Sequence, residues 1–409
     1  MEELKADFDA IVIGAGPAGA MASSLLVDQG HNVLVLEKQH FPRFSIGESL
    51  LPQSMEFLEA AGMLQAVVEA GFQYKNGAAF SEKDTYSYFD FRKKFSPGWG
   101  TTYQVQRAQF DKVLADCAQA KGADIRYGHS VTAFEENNEQ VQLSVSSATN
   151  TYKVTAKFVL DASGFGRVLP KLLALEKDSA LSPRVSLFTH IEDQITDPQF
   201  DRNKILISVH PENKEIWYWL IPFSNGRASV GVVLPRELYD NHNEDNKALL
   251  QHYIGKTELM NKSLANAQFD SDVGKMDGYS CNVKSLYGDK FALLGNAGEF
   301  LDPVFSSGVT IALKSATLAA QVLNKQLKGE TVDWQAQYAQ PLQKGIDTFR
   351  VFVESWYDGS LQDVIFKEEK SDAIEGMISS ILAGYAWDTK NPYVKTPTRL
   401  KALAELCRG

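Results

Sequence analysis

The sequence has little cysteine and no long hydrophobic run. Its 409 residues contain three cysteines, which lie far apart and form no C-x-x-C pair: Cys117, Cys281 and Cys407. An odd number of distant cysteines argues against a disulfide framework and against a cysteine zinc site. No apolar run is long enough to span a bilayer, and the acidic residues 1–7 lack the apolar core of a secretory signal. These absences predict a cytoplasmic protein without a membrane partner.

Histidine and clustered positive charge are also scarce. The seven histidines lack convincing metal-ligand spacing, so we predict no metal site and ordinary structural roles for them. The formal net charge is −10, which argues against a nucleic-acid partner because such binding depends on clustered Lys and Arg. The remaining composition, 44% hydrophobic and 22% charged, is typical of a globular enzyme.

The first positive signal is a glycine-rich turn near the N-terminus. The apolar run Ala10-Ile11-Val12-Ile13 leads into Gly14-Ala15-Gly16-Pro17-Ala18-Gly19, a G-x-G-x-x-G pattern. The first glycine permits a tight turn, the second lets backbone approach a pyrophosphate, and the third lets the next helix pack on the strand. A second strand, residues 32–36, ends in Glu37, which can accept a hydrogen bond from a ribose hydroxyl. Together these features predict a dinucleotide site.

Three further segments favour FAD over NAD. Strand residues 291–294 run into G-N-A-G-E-F-L-D-P at 295–303, residues 158–164 end in D-A-S-G, and Arg107 precedes a helix that contains Asp111. These segments resemble those of the flavoprotein monooxygenase superfamily. Asn296 stands where that superfamily usually has aspartate. An amide can still bind a ribityl hydroxyl, but it accepts the bond without charge assistance.

Four segments narrow the resemblance to the flavin-dependent halogenases, in particular those that act on phenols and pyrroles. They are F-P-R-F-S-I-G-E-S-L-L-P at 41–52, F-Q-Y-K-N-G-A at 72–78, W-Y-W-L-I-P at 217–222 and D-P-V-F-S-S-G at 302–308. The resemblance implies that a separate reductase supplies reduced FAD, that oxygen and chloride or bromide then give hypohalous acid, and that a lysine passes this oxidant to an electron-rich aromatic substrate of secondary metabolism.

The resemblance also implies roles for particular residues. Lys75 is the catalytic lysine, because a desolvated amine can be halogenated or can donate a hydrogen bond to the oxidant. The segment Trp217, Trp219, Ile221 and Pro222 separates substrate from flavin. The amides of Ser307 and Gly308 hold the halide at the N-terminus of a helix predicted from 309 to 327. The cofactor-binding residues are Gly14, Gly16, Ala18, Gly19, Glu37, Lys38, Arg43, Ser49, Arg107, Asp161, Gly164, Gly295, Asn296, Pro303, Gly308 and Val309.

Substrate and partner are less constrained. Tryptophan halogenases carry a glutamate where this chain has Phe305, and this difference favours a phenol or a pyrrole, whose heteroatom activates the ring. The substrate proton could be taken by Glu299, by Glu48 or by water. A basic helical face formed by Lys395, Arg399 and Lys401 could bind an acidic acyl carrier protein, although such a face is more often simply solvated.

The expected fold is of the α/β class, with a Rossmann-like FAD-binding domain, an inserted mixed β-sheet on the substrate side and a helical C-terminal region. The FAD-binding domain is discontinuous, at 1–80, 100–170 and 270–330. The substrate-side sheet takes 81–99 and 171–269, and the helical region takes 331–409. Two other functions fit the same fold: an FAD-dependent aromatic hydroxylase, and a flavin-binding accessory protein without turnover.

Overall fold

The computed structural model of the protein describes residues 6–368 and 371–408. The prediction about a secretory signal concerns residues 1–7. Of these, residues 1–5 lie outside the described part of the chain.

Strands and helices alternate along the chain, as the α/β prediction requires. The strands are β1 (Phe8–Ile13), β2 (Val33–Glu37), β3 (Gln73–Lys75), β4 (Gly77–Glu82), β5 (Thr85–Asp90), β6 (Thr102–Gln104), β7 (Asp124–Tyr127), β8 (Ser130–Glu136), β9 (Val141–Ser146), β10 (Thr151–Asp161), β11 (Glu176–Lys177), β12 (Arg184–Glu192), β13 (Lys204–Val209), β14 (Trp217–Pro222), β15 (Arg227–Pro235), β16 (Gly274–Asp277), β17 (Asn282–Val283) and β18 (Phe291–Leu293). The α-helices are α1 (Pro17–Asp28), α2 (Gln53–Ala60), α3 (Leu64–Glu69), α4 (Arg107–Ala120), α5 (Val168–Leu172), α6 (Arg236–Asp240), α7 (Asn246–Ile254), α8 (Glu258–Ser263), α9 (Ser307–Leu327), α10 (Gln340–Tyr357), α11 (Ser360–Ile365), α12 (Asp372–Leu382), α13 (Pro392–Lys395) and α14 (Arg399–Arg408).

The first sheet has the order β7-β2-β1-β10-β9-β8, with β18 also paired to β10. Strands β7, β2, β1, β10 and β18 run parallel, whereas β9 and β8 form an antiparallel extension. The central strands are buried along most of their length, as expected for a parallel sheet covered on both faces. Helices α1 and α9 pack against each other on one of these faces. This sheet confirms the Rossmann-like prediction.

The second sheet has the order β16-β12-β15-β14-β13-β4-β5 and is antiparallel except for the β13–β4 pair. Along β14 the side chains alternate: Trp217, Trp219 and Ile221 join the large core shared with the first sheet, whereas Tyr218 and Leu220 join a separate core beneath α7 and α8. Strand β4 lies partly inside the segment 1–80, and β16 lies inside 270–330. The sheet boundary therefore falls within two of the predicted FAD-binding segments, and the division into domains stays a prediction.

Helices dominate the chain after residue 334, where a short π-helical turn, Gln335–Ala339, leads into α10. The basic face considered from the sequence does not form on one helix, because Lys395 lies in α13 whereas Arg399 and Lys401 lie in α14. Pro397 separates the two helices, since proline lacks the amide hydrogen needed to continue α13. The Nζ atom of Lys401 lies 3.7 Å from Asp358, so this cation already has an acidic neighbour.

Candidate active site

The parallel strands of the first sheet end together and position the site. The strand register pairs Ile13 with Asp161 and Asp161 with Leu293, so the carboxyl ends of β1, β10 and β18 lie side by side. Ligands of doubly wound sheets bind at this edge, beyond the carboxyl ends of the strands. The turns after these strands therefore line a common space.

That space is a cavity of about 410 Å³ between the two sheets. Most of the residues predicted to bind the cofactor, to bind the halide or to separate substrate from flavin lie in the lining of this cavity. They are Gly14, Gly16, Ala18, Glu37, Lys38, Arg43, Ser49, Arg107, Gly164, Trp217, Trp219, Ile221, Gly295, Asn296, Pro303, Gly308 and Val309. Five predicted residues are not part of its lining: Gly19, Lys75, Asp161, Pro222 and Ser307.

The glycine turn after β1 is shaped by the absence of side chains. Gly14 has φ +96°, and a Cβ atom there would lie 2.6 Å from the carbonyl oxygen of Ala162. A Cβ atom at Gly19 would lie 1.9 Å from the carbonyl oxygen of Gly14. Gly19 is therefore needed for the packing of α1 on β1, even though it does not face the cavity. No side chain caps the start of α1, so its first amide groups are available to an anion in the cavity.

Two acidic residues hold the turns that surround the cavity. Glu37 lines the cavity, and its carboxylate accepts hydrogen bonds from the amides of Ala15 and Gln39, both at 2.9 Å. Asp161 is fully buried and accepts from the amides of Ser163 and Leu169 at 2.9 and 2.7 Å. Burial raises the pKa of Asp161. This residue therefore shapes the D-A-S-G turn from behind the cavity wall.

A buried ion cluster fixes the opposite wall. Asp111 accepts hydrogen bonds from Arg107 Nε at 2.7 Å and from Arg43 Nη1 at 2.7 Å. Arg107 also donates from Nη1 to the carbonyl oxygen of Ile46 at 2.6 Å. The R-x-x-x-D pattern thus ties helix α4 to the segment 41–52.

The two tryptophans of β14 form part of the cavity wall, with ring centroids 5.9 Å apart. Trp217 donates from Nε1 to the hydroxyl of Tyr357 at 2.9 Å, and that hydroxyl donates to Asp302 at 2.8 Å. Trp219 donates from Nε1 to Ser229 at 3.1 Å. Both indoles are therefore fixed by hydrogen bonds, and the Tyr357–Asp302 contact was not predicted from the sequence.

Helix α9 begins at Ser307, two residues earlier than predicted, and its N-terminus points at the cavity. Ser306 adopts a left-handed conformation with φ +56° and its side chain does not cap the helix. Gly308 and Ser306 line the cavity, whereas Ser307 is buried. The uncapped amides have the character of an anion site, and the role of Ser307 and Gly308 in halide binding stays a prediction.

Lys75 lies on the other side of the segment 41–52, outside the cavity. It is 1% exposed, and its Nζ donates to Ser49 Oγ at 2.7 Å and to the carbonyl oxygen of Leu50 at 2.8 Å. Burial lowers its pKa to about 7, because a buried ammonium loses its hydration. Ser49 lines the cavity, so one hydroxyl group connects the cavity wall with the amine.

One aromatic ring lies directly beside Lys75. The Phe91 ring centroid is 5.4 Å from Lys75 Nζ. Phe305 packs edge-on against Trp356 with centroids 5.9 Å apart, and Phe80 lies 6.0 Å from Trp356. All of these rings belong to one buried core. Phe305 is therefore a packing residue in this conformation.

Glu299 and Glu48, the two carboxylates considered as bases for the substrate proton, differ in their position relative to the cavity. Glu299 is buried in an ion pair with Arg350 and does not line the cavity. Glu48 lines the cavity, and its Oε1 lies 2.5 Å from Nε2 of His190. The two partners are 142 residues apart in sequence, so no local pattern could have identified His190.

Neither a metal-binding cluster nor a membrane-spanning helix is found among the described residues. Within 6–368 and 371–408, no three His, Cys, Asp or Glu side chains are grouped so that they could hold a metal ion. No helix in the same ranges combines the length and the apolar character that a bilayer span requires.

Comparisons with known proteins agree with this geometry. The model of the FAD binding domain family matches residues 7–341. The chain is 28% identical over 375 residues to a 1H-pyrrole-2-carbonyl-[peptidyl-carrier protein] chlorinase of Pseudomonas fluorescens, with 86% of this chain and 84% of the relative covered. Its fold matches the crystal structure of a flavoprotein/dehydrogenase from Cytophaga hutchinsonii with TM-score 0.94 and 42% identity, covering 98% of this chain and 99% of that one. The flavin-dependent brominase Bmp2 matches with TM-score 0.82 and 26% identity, covering 98% and 99%.

The cavity also suits FAD on its own evidence. The glycine turn leaves room for backbone to approach a pyrophosphate, and two uncapped helix N-termini face the space in which a dinucleotide is expected. The chain therefore belongs to the FAD binding domain family and, within it, to the flavin-dependent halogenases, a group of oxidoreductase enzymes that use FAD and a halide.

Proposed function

We propose that the protein uses reduced FAD, oxygen and chloride or bromide to form hypohalous acid in the flavin cavity, and that Lys75 directs this oxidant onto an electron-rich aromatic substrate of secondary metabolism. Bound FAD supplies the oxygen activation. The chain's own residues bind the cofactor, hold the halide at the start of α9 and keep the substrate away from the flavin with the β14 tryptophans.

The observation that carries the proposal is the setting of Lys75. A fully buried amine with a pKa of about 7 is partly uncharged at neutral pH. An uncharged amine is a nucleophile toward hypohalous acid, and a charged one is a hydrogen-bond donor to it. The Ser49 hydroxyl, which contacts both the amine and the cavity, supports a route for the oxidant between the two regions.

We infer that the substrate is a phenol or a pyrrole, free or bound to a carrier protein. The named activity of the Pseudomonas fluorescens relative, on a carrier-bound pyrrole, supports this class. Phe305, which packs against Phe352 and Trp356, stands where tryptophan halogenases carry a glutamate, and a pyrrole or phenol needs no such carboxylate to activate its ring. A flavin reductase supplies the reduced cofactor. A cytoplasmic location remains a prediction.

The experiment is a product analysis by mass spectrometry. The purified protein is incubated with FAD, a flavin reductase, NADH and air, and with phenols, free pyrrole-2-carboxylate and its carrier-bound thioester, each with bromide, with chloride or without halide. The proposal expects a product with the halogen isotope pattern that depends on halide. Addition of oxygen that is indifferent to halide would contradict it.

A second candidate is an FAD-dependent hydroxylase or other oxidoreductase of the same fold. One observation favours it: the 42% identical solved protein is titled a flavoprotein/dehydrogenase. Oxygen insertion or substrate oxidation without halide in the same assay would establish this candidate.

A further inference from the structure

The flavin cavity contains one carboxylate whose hydrogen bonding is incomplete. Glu48 lines the cavity with a side chain that is fully shielded from solvent. Its Oε1 contacts His190 at 2.5 Å, whereas its Oε2 is buried and has no hydrogen-bond partner. In the described part of the chain it is the only carboxylate oxygen in that condition. Leaving such an oxygen unpaired costs free energy, so a group within the cavity is its natural partner.

His190 connects this carboxylate to the protein surface. Its side chain is 22% exposed, and it lies between the rings of Phe44 and Phe223 at centroid distances of 5.5 and 5.3 Å. Phe44 is itself 56% exposed. The imidazole therefore has one nitrogen on the buried carboxylate and an edge that reaches water. The pair therefore gives a titratable connection from solvent to the cavity.

The other charged groups nearby are already committed. Arg107 donates to the carbonyl oxygen of Gly47 and to Asp111, and Lys75 donates to Ser49 and Leu50.

The charged residues near His190 in the second sheet are either paired with an opposite charge or exposed to solvent. Arg202 is paired with Asp193 and donates to the carbonyl oxygen of Phe223. Glu192, two positions along β12, is exposed, and Arg227 opposite it is paired with Asp270. These groups leave the Glu48–His190 contact free to exchange a proton.

The proposed reaction requires proton entry. Reduced FAD, oxygen, a halide anion, one proton and an aromatic C–H give FAD, the aryl halide and two waters, so one proton is consumed in each turnover. We propose that His190 and Glu48 form the path by which this proton enters the flavin cavity. His190 transfers a proton from Nε2 to Glu48 Oε1 and takes one from water at Nδ1. The carboxyl group then presents its proton to the cavity, and nothing is oxidised or reduced in the transfer.

The proton count depends on the proposed function, so the test follows flavin reoxidation and halogenation separately. Protein-bound reduced FAD is mixed with aerated buffer that contains bromide and a reactive diketone, and flavin absorbance and bromination of the diketone are followed for the wild-type protein, His190→Gln, Glu48→Gln and His31→Gln. Glutamine keeps a hydrogen-bond donor beside Glu48 but cannot carry a proton by titration. His31 is the matched control, because it is half-buried and bonded to Asn324 at 2.9 Å, away from the cavity.

We expect His190→Gln to slow reoxidation at least tenfold, to leave the Kd for FAD unchanged, and to recover when imidazole is added as a diffusible acid. Glu48→Gln should be slowed without recovery, and His31→Gln should match the wild type. In the 15N-histidine-labelled protein without FAD, a strongly deshielded proton resonance should vanish in both His190→Gln and Glu48→Gln. Wild-type reoxidation in His190→Gln, or slow reoxidation that imidazole does not restore, would overturn the path. Rescue without any halogenated product would keep the path and reject the halogenase.

Discussion

The segment 41–52 separates two regions of opposite character. On one side is the flavin cavity, about 410 Å³ in volume and bordered by uncapped helix starts and glycine turns. On the other side Lys75 is buried, with both of its hydrogen-bond acceptors supplied by that segment and the Phe91 ring centroid 5.4 Å from its Nζ. The cofactor site is preformed by backbone shape. The surroundings of Lys75 are defined by close contacts to one buried amine.

The largest effect is expected where the flavin side depends on backbone contact. Gly19→Ala places a Cβ atom 1.9 Å from a backbone carbonyl oxygen, which no rotamer change can relieve. We expect the affinity for FAD, measured by quenching of flavin fluorescence, to fall by a factor of at least about 100, since a shift of α1 misplaces its amides. Gly376→Ala is the control, because its Cβ atom would meet nothing closer than 3.6 Å. Retained affinity in Gly19→Ala would show that the turn is not preformed.

The aromatic core around Phe305 is built from large side chains, among them Trp356. Trp356 is fully buried, and its replacement by alanine should lower the free energy of unfolding by about 3–5 kcal/mol. Urea denaturation measures this change. Trp356→Phe is the matched variant, because the indole Nε1 has no hydrogen-bond partner to lose. Equal stability of Trp356→Ala and the wild type would mean that the region around Phe305 is already open.

Tyr357 links the cavity wall at Trp217 to the buried Asp302. Tyr357→Phe leaves the Trp217 indole and the Asp302 carboxylate each without this partner. We expect a loss of about 1–3 kcal/mol in the free energy of unfolding, measured by urea denaturation, together with more halide-independent oxygenation of the substrate. Tyr393→Phe serves as control, since it removes a hydroxyl from a tyrosine of α13, away from the cavity. An unchanged product ratio would contradict the dividing role of Trp217.

The stability of the folded protein should also depend on pH through the burial of Lys75. The folded-state pKa of about 7 lies below the value of 10.5 for a free lysine, so between these pH values the unfolded chain binds a proton that the folded protein does not. Folding stability should therefore rise with pH across this window, by up to about 1.4 kcal/mol for each pH unit. The Lys75→Met variant should lack this rise, which thermal melting at pH 7 to 10 detects. Parallel pH profiles would contradict burial of the charge.

The sequence could predict features that depend on one local segment, but not contacts between distant segments. Gly14 and Gly19 are identifiable because their requirement is local, within one strand and one turn. Pro397 could likewise have excluded a continuous basic helix. The His190–Glu48 contact and the Tyr357–Asp302 network join residues from distant parts of the chain, and only the packing of the two sheets brings them together. The contacts of Lys75 with Ser49 and Leu50 belong to the same class, because they join residues 26 and 25 positions apart.

The oxidant is proposed to form on one side of the segment 41–52 and to be used at Lys75 on the other side. The direct test compares Lys75→Met with Lys314→Met, since burial also lowers the pKa of Lys314, between Phe57 and Trp387 and outside the cavity. Halogenated substrate and free hypohalous acid, trapped in solution by a reactive diketone, are measured together. Lys75→Met should lose at least about 100-fold in halogenated product while still releasing hypohalous acid, and Lys314→Met should behave as the wild type. Halogenated product at the wild-type rate in Lys75→Met, or loss of the hypohalous acid as well, would contradict the separation of the two steps.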